Sequence, residues 1–100
     1  MNYFLASLFT ALSFLTFGQD SIVFSGTVSD KNSNEALDFA QISIIELNES
    51  TYSDNNGKFS IKIPKGDYHI KIQFADYEDF KTKISLEKDL NKSFSLKRIA

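Results

Sequence analysis

Between Thr51 and Phe74 the chain contains two segments in which apolar and polar side chains alternate strictly. In the first segment the apolar side chains are Phe59, Ile61 and Ile63. In the second they are Tyr68, Ile70, Ile72 and Phe74. Alternation with a period of two places the apolar side chains of a β-strand on one face and leaves the other face to water. The pattern therefore predicts two adjacent β-strands, each with one buried face.

Turn-forming residues precede each of the two segments. Asp54-Asn55-Asn56-Gly57 has the composition of a tight turn, in which Gly57 is free to adopt a positive φ. Pro64-Lys65-Gly66-Asp67 suits a second turn, because proline favours the first central position and Gly66 tolerates a left-handed one. We therefore predict a β-hairpin whose turns fix the register of its two strands.

The remainder of the chain after residue 18 contains further alternating segments: residues 22–29, 39–46, 51–53, 79–86 and 93–97. With the central pair they make six or seven strands, a pattern typical of an all-β sandwich or small barrel. Gly26 lies on the inward face of its strand, where a glycine marks a bulge or the close approach of another backbone. The doublet Ile44-Ile45 followed by Leu47 breaks the alternation and predicts a bulge or a strand end.

Residues 1–18 carry no charged side chain and have the pattern of a leader. The apolar run from Tyr3 to Phe17 is shorter than the about 20 residues that a transmembrane helix needs. It ends in Thr16-Phe17-Gly18, with small residues at the two positions that signal peptidase reads. We predict a signal peptide cleaved before Gln19, followed by one domain over residues 19–100. An uncleaved anchor helix and a buried amino-terminal helix are the alternatives, since the leader lacks the usual Lys or Arg near its start.

The composition excludes several classes of protein. The chain of 100 residues has no cysteine, which excludes a disulfide scaffold, a thiolate metal site and a lipid-modified amino-terminal cysteine. Its net charge of −2 gives no reason to expect binding to nucleic acid or to an anionic membrane surface. Lysines on outward strand faces are expected to be solvated and to protect sheet edges; here they are Lys58, Lys62, Lys71, Lys81 and Lys83.

No arrangement of residues in the sequence predicts catalysis or a metal site. His69 is the only histidine, and the alternation puts it on an outer strand face without a second His or Cys as partner. Asp54-x-Asn56-Gly57 resembles the start of a calcium loop, but Lys58 and Phe59 follow where further oxygen ligands are needed. We therefore expect no enzyme activity, no metal and no cofactor, and we interpret Asp54 and Gly57 as turn residues.

Three segments of the chain carry turn residues and inward positions that agree with one another. The first is G-x-V-x-D at residues 26–30, and the second is L-x-x-A-x-I-x-I at residues 37–44. The third is T-x-S-D-x-x-G-x-F-x-I-x-I-P-x-G-x-Y at residues 51–68. Together they resemble the carboxypeptidase regulatory-like domains, a transthyretin-like group of β-sandwiches. Two positions depart from the family pattern: Ala36 stands where proline is usual, and Asp76 where many members have glycine.

The resemblance implies a six- to seven-stranded antiparallel β-sandwich of the immunoglobulin and transthyretin type, without a catalytic role. The residues that carry it are expected to have structural roles: Gly26, Asp54, Gly57, Phe59, Pro64, Gly66 and Tyr68. Domains of this kind that directly follow a signal peptide are typical of the amino terminus of TonB-dependent outer-membrane receptors in Bacteroidetes, where they precede the plug and barrel.

This resemblance predicts an exported module, periplasmic or associated with the outer membrane, that serves as the amino-terminal extension of a nutrient transporter. Its expected partners are the rest of that transporter or other envelope proteins. The alternative is a stand-alone secreted β-sandwich that binds or adheres by protein or carbohydrate contact. Neither interpretation involves nucleic acid or a small-molecule cofactor.

Export tests the prediction for the leader. The chain expressed in a Gram-negative host should be recovered from the periplasm or envelope with a mass that begins at Gln19, because signal peptidase removes residues 1–18. Intact-mass spectrometry measures this directly. A recovered protein that begins at Met1 contradicts the prediction and favours the anchor helix.

Overall fold

A computed structural model describes residues 21–99 of the chain. The predicted signal peptide and its cleavage site lie outside the described residues. Seven strands and one 3₁₀ turn follow one another: β1 (Ser21–Asp30), β2 (Gln41–Ile44), the 3₁₀ turn (Ile45–Leu47), β3 (Glu49–Tyr52), β4 (Lys58–Pro64), β5 (Gly66–Gln73), β6 (Phe80–Leu86) and β7 (Leu90–Leu96). In this part of the chain no helix has the length and apolar character needed to cross a membrane.

The strands form two sheets that pack face to face. The three-stranded sheet has the order β4-β1-β7, and the four-stranded sheet has the order β3-β2-β5-β6. The largest fully buried side chains between them are Phe24, Val28, Ile42, Ile44, Ile63, Ile70, Ile72, Leu86 and Leu96. This arrangement confirms the predicted β-sandwich of six to seven strands. The strand pairs are antiparallel except β1 with β7, which is parallel.

The predicted hairpin between β4 and β5 is wrong. β4 pairs with β1 in the three-stranded sheet, whereas β5 pairs with β2 and β6 in the four-stranded sheet. The chain crosses between the sheets at Lys65. Alternation shows that a strand buries one face, and a strand of either sheet of a sandwich meets that condition. Ile63 and Tyr68 are accordingly both buried, although their strands belong to different sheets.

Strand β2 is shorter than the predicted strand over residues 39–46. Ala40, Ile42 and Ile44 face inward as predicted. The chain then leaves the strand and enters the 3₁₀ turn, which confirms the predicted strand end. At the other end of β2, Phe39 has a φ of +70° and lies outside the strand with its side chain in solvent.

Asp76 occupies the position where related domains carry glycine, and its φ is +72°. Aspartate adopts the left-handed region more readily than most residues with a side chain. The residue that departs from the family pattern is therefore one that tolerates the left-handed backbone of this turn.

The parallel pairing of β1 with β7 depends on Gly26. Gly26 lies opposite Lys92, and a Cβ at position 26 would lie 1.8 Å from the Lys92 carbonyl oxygen. Of the two alternatives that the sequence left open at Gly26, a bulge or the close approach of another backbone, the structure shows the close approach. β7 begins at Leu90, before its predicted start at Ser93, since its pairing with β1 extends that far.

Gly26→Ala should lower the free energy of unfolding by about 3 kcal/mol, because the added Cβ forces β1 and β7 apart against a packed core. Urea denaturation measures the change. Ser29→Ala, on the outward side of the same strand, is the matched control and should change stability by less than about 0.5 kcal/mol. Wild-type stability in Gly26→Ala would show that the two strands tolerate a wider separation.

Candidate functional site

The residues that carry the family pattern fall into two groups in the structure. Gly26 pairs with Phe59, and both line one open surface hollow with Asp54; Pro64, Gly66 and Tyr68 lie at the crossover between the sheets. Gly26 and Phe59 belong to the sandwich interior, where the Phe59 ring packs against other aromatic rings. Pro64 ends β4, and Gly66, with a φ of +157°, begins β5. The Tyr68 hydroxyl donates a hydrogen bond of 2.7 Å to the Pro64 carbonyl oxygen. This bond fixes the crossover between the two sheets.

Asp54 organises the turn that ends at Gly57. One oxygen of its carboxylate accepts hydrogen bonds from the backbone N–H groups of Asn56 (2.8 Å) and Lys58 (2.9 Å). Gly57 has a φ of +77° and donates its N–H to the Asp54 carbonyl oxygen. The hydrogen bond from the Lys58 N–H is the main cause that lowers the pKa of the Asp54 carboxyl. The carboxylate thus closes a turn, and no group of three metal-ligating side chains occurs within residues 21–99.

His69 lies exposed on the outer face of the four-stranded sheet and contacts one carboxylate. Its Nδ1 lies 2.5 Å from Oε2 of Glu46, and its backbone N–H donates to Oε1 over 2.7 Å. The side-chain bond to His69 lowers the pKa of the Glu46 carboxyl to about 2. Both bonds attach the 3₁₀ turn to β5, which is a structural role for this histidine.

An exposed aromatic pair distinguishes one end of the same outer face. The rings of Phe39 and Tyr52 stack with a centroid distance of 4.6 Å and an interplanar angle of 16°. Phe39 is 69% exposed and Tyr52 is 46% exposed. Aromatic rings stabilise a fold mainly by being buried, and contiguous exposed apolar groups mark interaction surfaces. The pair is therefore a candidate contact site.

Ser53 holds the backbone that presents Phe39. The φ of +70° places Phe39 in the left-handed region, which costs a residue with a side chain about 1–2 kcal/mol. The buried Ser53 hydroxyl donates to the Leu37 carbonyl oxygen (2.6 Å) and accepts the Ala40 N–H (2.8 Å). The Ser53 carbonyl oxygen accepts the Phe39 N–H over 2.9 Å. These three bonds keep the Phe39 ring on the outside of the sheet.

Polar side chains continue from the aromatic pair across the sheet. Gln41 pairs with Tyr52 on one side and with Gln73 on the other, so the three lie in one line over β3, β2 and β5. Asp79 lies just before β6 and continues this line next to Gln73. The line borders a groove of about 510 Å³. We term this surface the aromatic–amide row: Phe39, Tyr52, Gln41, Gln73 and Asp79.

None of these five residues is among those predicted from the sequence. One signal was present: if Ala40 and Ile42 face inward, the parity of the strand leaves Phe39 as an aromatic side chain on a polar face. No pattern in the sequence predicts that Tyr52, Gln41 and Gln73 lie in one line. Their alignment depends on the register of three strands that are distant in the chain.

A second polar cluster surrounds Asp30, which is only 8% exposed. Its carboxylate accepts hydrogen bonds from the Tyr77 hydroxyl (2.5 Å) and from the N–H groups of Asn32 (2.7 Å) and Ser33 (2.9 Å). The Arg98 guanidinium carbon lies 5.2 Å from the centroid of the Tyr77 ring. The hydrogen bond from Tyr77 is the first cause that lowers the pKa of Asp30 to about 2. The cluster ties the loop after β1 to the end of the chain and leaves no open site.

The fold and its surface define the class of protein, a two-sheet β-sandwich domain with an exposed aromatic pair. The chain belongs to the family of carboxypeptidase regulatory-like domains, because the CarboxypepD_reg-like domain family matches residues 24–99. This confirms the resemblance seen in the sequence. The family is a regulatory or binding type of immunoglobulin-like domain.

Individual proteins resemble this chain in sequence or in fold. Bacillopeptidase F of Bacillus subtilis is 37% identical over 51 residues, which are 50% of this chain and 4% of that protein. A chain in a type II Cohesin-X-Dockerin complex from Acetivibrio cellulolyticus is 25% identical with a TM-score of 0.64, over 73% of this chain and 52% of that chain. A DUF3823 family protein from Bacteroides ovatus has a TM-score of 0.62 at 14% identity, over 76% of this chain and 43% of that one. This chain therefore spans about half or less of each of these proteins.

Phe39→Gly should leave the free energy of unfolding within about 1 kcal/mol of the wild type, because relief of the left-handed strain offsets the lost ring stacking. Thermal and urea denaturation measure this difference. Phe24→Ala, which removes a buried ring, is the contrasting variant and should cost about 3–5 kcal/mol. A loss above about 2 kcal/mol in Phe39→Gly would assign the Phe39 ring to the fold rather than to a contact surface.

Asp30 should make stability fall in acid. The pKa of Asp30 is about 2 in the folded protein against 3.8 for an ordinary aspartate. The contribution of its carboxylate to the free energy of unfolding is therefore complete above pH 3.8 and disappears as the pH falls toward 2. The urea midpoint of the wild type should decrease over that range, and Asp30→Asn should decrease less. Some decrease remains in the variant, since Glu46 and Asp54 also have lowered pKa values. Identical pH profiles for the two proteins would contradict the assignment.

Proposed function

We propose that this chain is a non-catalytic, exported β-sandwich module that works by contact through the aromatic–amide row. The exposed, strained Phe39 is the observation that carries the proposal. At a φ of +70° a glycine is favoured over phenylalanine, and the Phe39 ring buries little area in return. Strain of this kind in a defined structure points to a functional use of the side chain. Tyr52 and the neighbouring amides provide the rest of a contact surface.

The environments of the ionisable groups support a role without catalysis. Catalytic groups have shifted pKa values and converge on a shared cleft. Here the lowered pKa values of Asp30, Glu46 and Asp54 arise from hydrogen bonds at three separate places, each of which holds a loop or turn. The family relationship agrees with this role, since it is a regulatory or binding type of domain.

We further propose that the module lies in the periplasm as the amino-terminal extension of a TonB-dependent outer-membrane transporter. The uncharged leader over residues 1–18 and the family pattern over residues 26–68 support this location. Its partner is then the rest of the transporter or another envelope protein. The coding sequence downstream of Ala100 tests the idea: an in-frame plug and barrel supports it. A stop codon with no barrel gene nearby favours a stand-alone module.

A stand-alone secreted binding module is the second candidate, and the aromatic–amide row favours it. The row is complete within residues 39–79, so contact through it requires no attached barrel. One solved chain with a similar fold forms part of a Cohesin-X-Dockerin complex, which shows this type of fold within a protein assembly.

Binding to isolated Gram-negative cell envelopes tests the contact function. The full chain, exported with its leader and purified, is mixed with envelopes, and the bound fraction is measured after sedimentation. We expect wild-type binding to fall about tenfold in Phe39→Gly, since an exposed aromatic anchor dominates such contacts. Ile99→Ser, which alters another exposed apolar residue, is the control and should bind as wild type. No wild-type binding, or equal binding by all three proteins, overturns the proposal.

A further inference from the structure

We propose that the aromatic–amide row binds a neutral saccharide chain, which lies across the outer face of the four-stranded sheet. This inference rests on the contact function proposed above and names the chemistry of the partner. It follows from three properties of the row: the types of side chain, the spacing of those side chains, and the rigidity of the backbone that carries them.

The side chains of the row match the two kinds of surface on a sugar ring. The exposed rings of Phe39 and Tyr52 offer apolar faces to the C–H side of a sugar ring. The Gln41 and Gln73 amides each provide both a donor and an acceptor, which suits hydroxyl groups. The Asp79 carboxylate accepts hydrogen bonds from hydroxyls as well. One surface thus combines stacking at one end with hydrogen bonding along the remainder.

The spacing of the row suits a linear chain. Tyr52, Gln41 and Gln73 stand on three neighbouring strands, and Asp79 lies beside the fourth. Neighbouring strands are about 4.8 Å apart, so the row from Tyr52 to Asp79 extends over about 14 Å. A row of this length offers a contact to each of several consecutive sugar units.

The charges of the row favour a neutral partner over an anionic one. Asp79 is the charged residue of the row. Its carboxylate would repel an anionic sugar bound at that end. Lys71 lies beside the row, but its Nζ is 3.7 Å from Oδ2 of Asp79, and the carboxylate partly neutralises its positive charge.

The composition of the row also favours a saccharide over a protein partner. Protein interfaces have an apolar core depleted of charge, with about 800 Å² buried on each side. Here the exposed large apolar groups are two rings, with the partly buried Phe74 and the small Ala75 beside them in the groove, and amides and an ion pair follow directly. A ring-sized apolar area bordered by hydrogen-bonding groups fits a sugar better.

The backbone that carries the row is fixed before any partner binds. Ser53 fixes the backbone at Phe39 by hydrogen bonds, and Gln41 and Gln73 lie within hydrogen-bonded strands. A backbone that is already ordered loses little conformational entropy on binding, which matters for a small ligand that makes few contacts.

Titration of the ¹⁵N-labelled exported protein with neutral hexasaccharides tests the inference. The probes are cellohexaose, xylohexaose and maltohexaose, with hexagalacturonate as the anionic comparison. We expect at least one neutral probe to shift the side-chain amide resonances of Gln41 and Gln73. Phe39→Gly should weaken this binding about tenfold, and Tyr52→Ser serves as a second variant should Phe39→Gly fold poorly. Ile99→Ser should bind as wild type.

The other outcomes separate this inference from the proposed contact function. Binding of hexagalacturonate alone overturns the neutral saccharide, and so do shifts that persist equally in Phe39→Gly and Tyr52→Ser. If no hexasaccharide binds but envelope binding still depends on Phe39 and is destroyed by protease treatment of the envelopes, the partner is a protein. The saccharide inference then fails while the contact function stands. If neither saccharides nor envelopes bind, both fail.

Discussion

The close contact between β1 and β7 is the constraint on which the sandwich depends. β1 is the centre of the three-stranded sheet, and it accepts β7 as a parallel neighbour because Gly26 leaves room for the Lys92 carbonyl. That approach places the ring of Phe94 on β7 within 6.2 Å of the Phe24 ring, and Phe59 on β4 packs edge-on against Phe24 at 5.3 Å. One missing side chain thus allows three aromatic rings to meet in the core.

The crossover after β4 determines which side chains lie side by side on the outer face of the four-stranded sheet. Because β4 and β5 enter different sheets, β5 becomes an inner strand of the four-stranded sheet, between β2 and β6. Its outward residues then lie between those of its neighbours rather than at a sheet edge. Gln73 takes its place beside Gln41 only through this pairing. A hairpin of β4 and β5 would have placed Gln73 beside β4 and left no continuous row.

Different residues stabilise the backbone at Phe39 and form the exposed surface there. Ser53 satisfies three backbone groups around the left-handed residue, so the fold retains the local strain without leaving buried polar atoms unpaired. The Phe39 ring contributes to the surface, whereas the Ser53 hydroxyl contributes to the interior. At Asp30 and Asp54 the carboxylates likewise satisfy N–H groups of the neighbouring loop or turn.

The sequence by itself determined the inward and outward faces of the strands, the turn at Asp54 to Gly57 and the family, and it marked Gly26 as the place of a bulge or a close backbone approach. These properties follow from alternation and from the conformational range of single residues, which are local and readable along the chain. Only the tertiary structure decided which sheet each strand joins, the parallel pairing of β7, and the aromatic–amide row. Strand partners and register come from the joint packing of both sheets, and six of the seven described strands have a buried apolar face that alternation alone does not assign to a partner. Apart from Phe39 on a polar strand face, the sequence therefore contained no indication of this surface, because its members become neighbours only once the strands are paired.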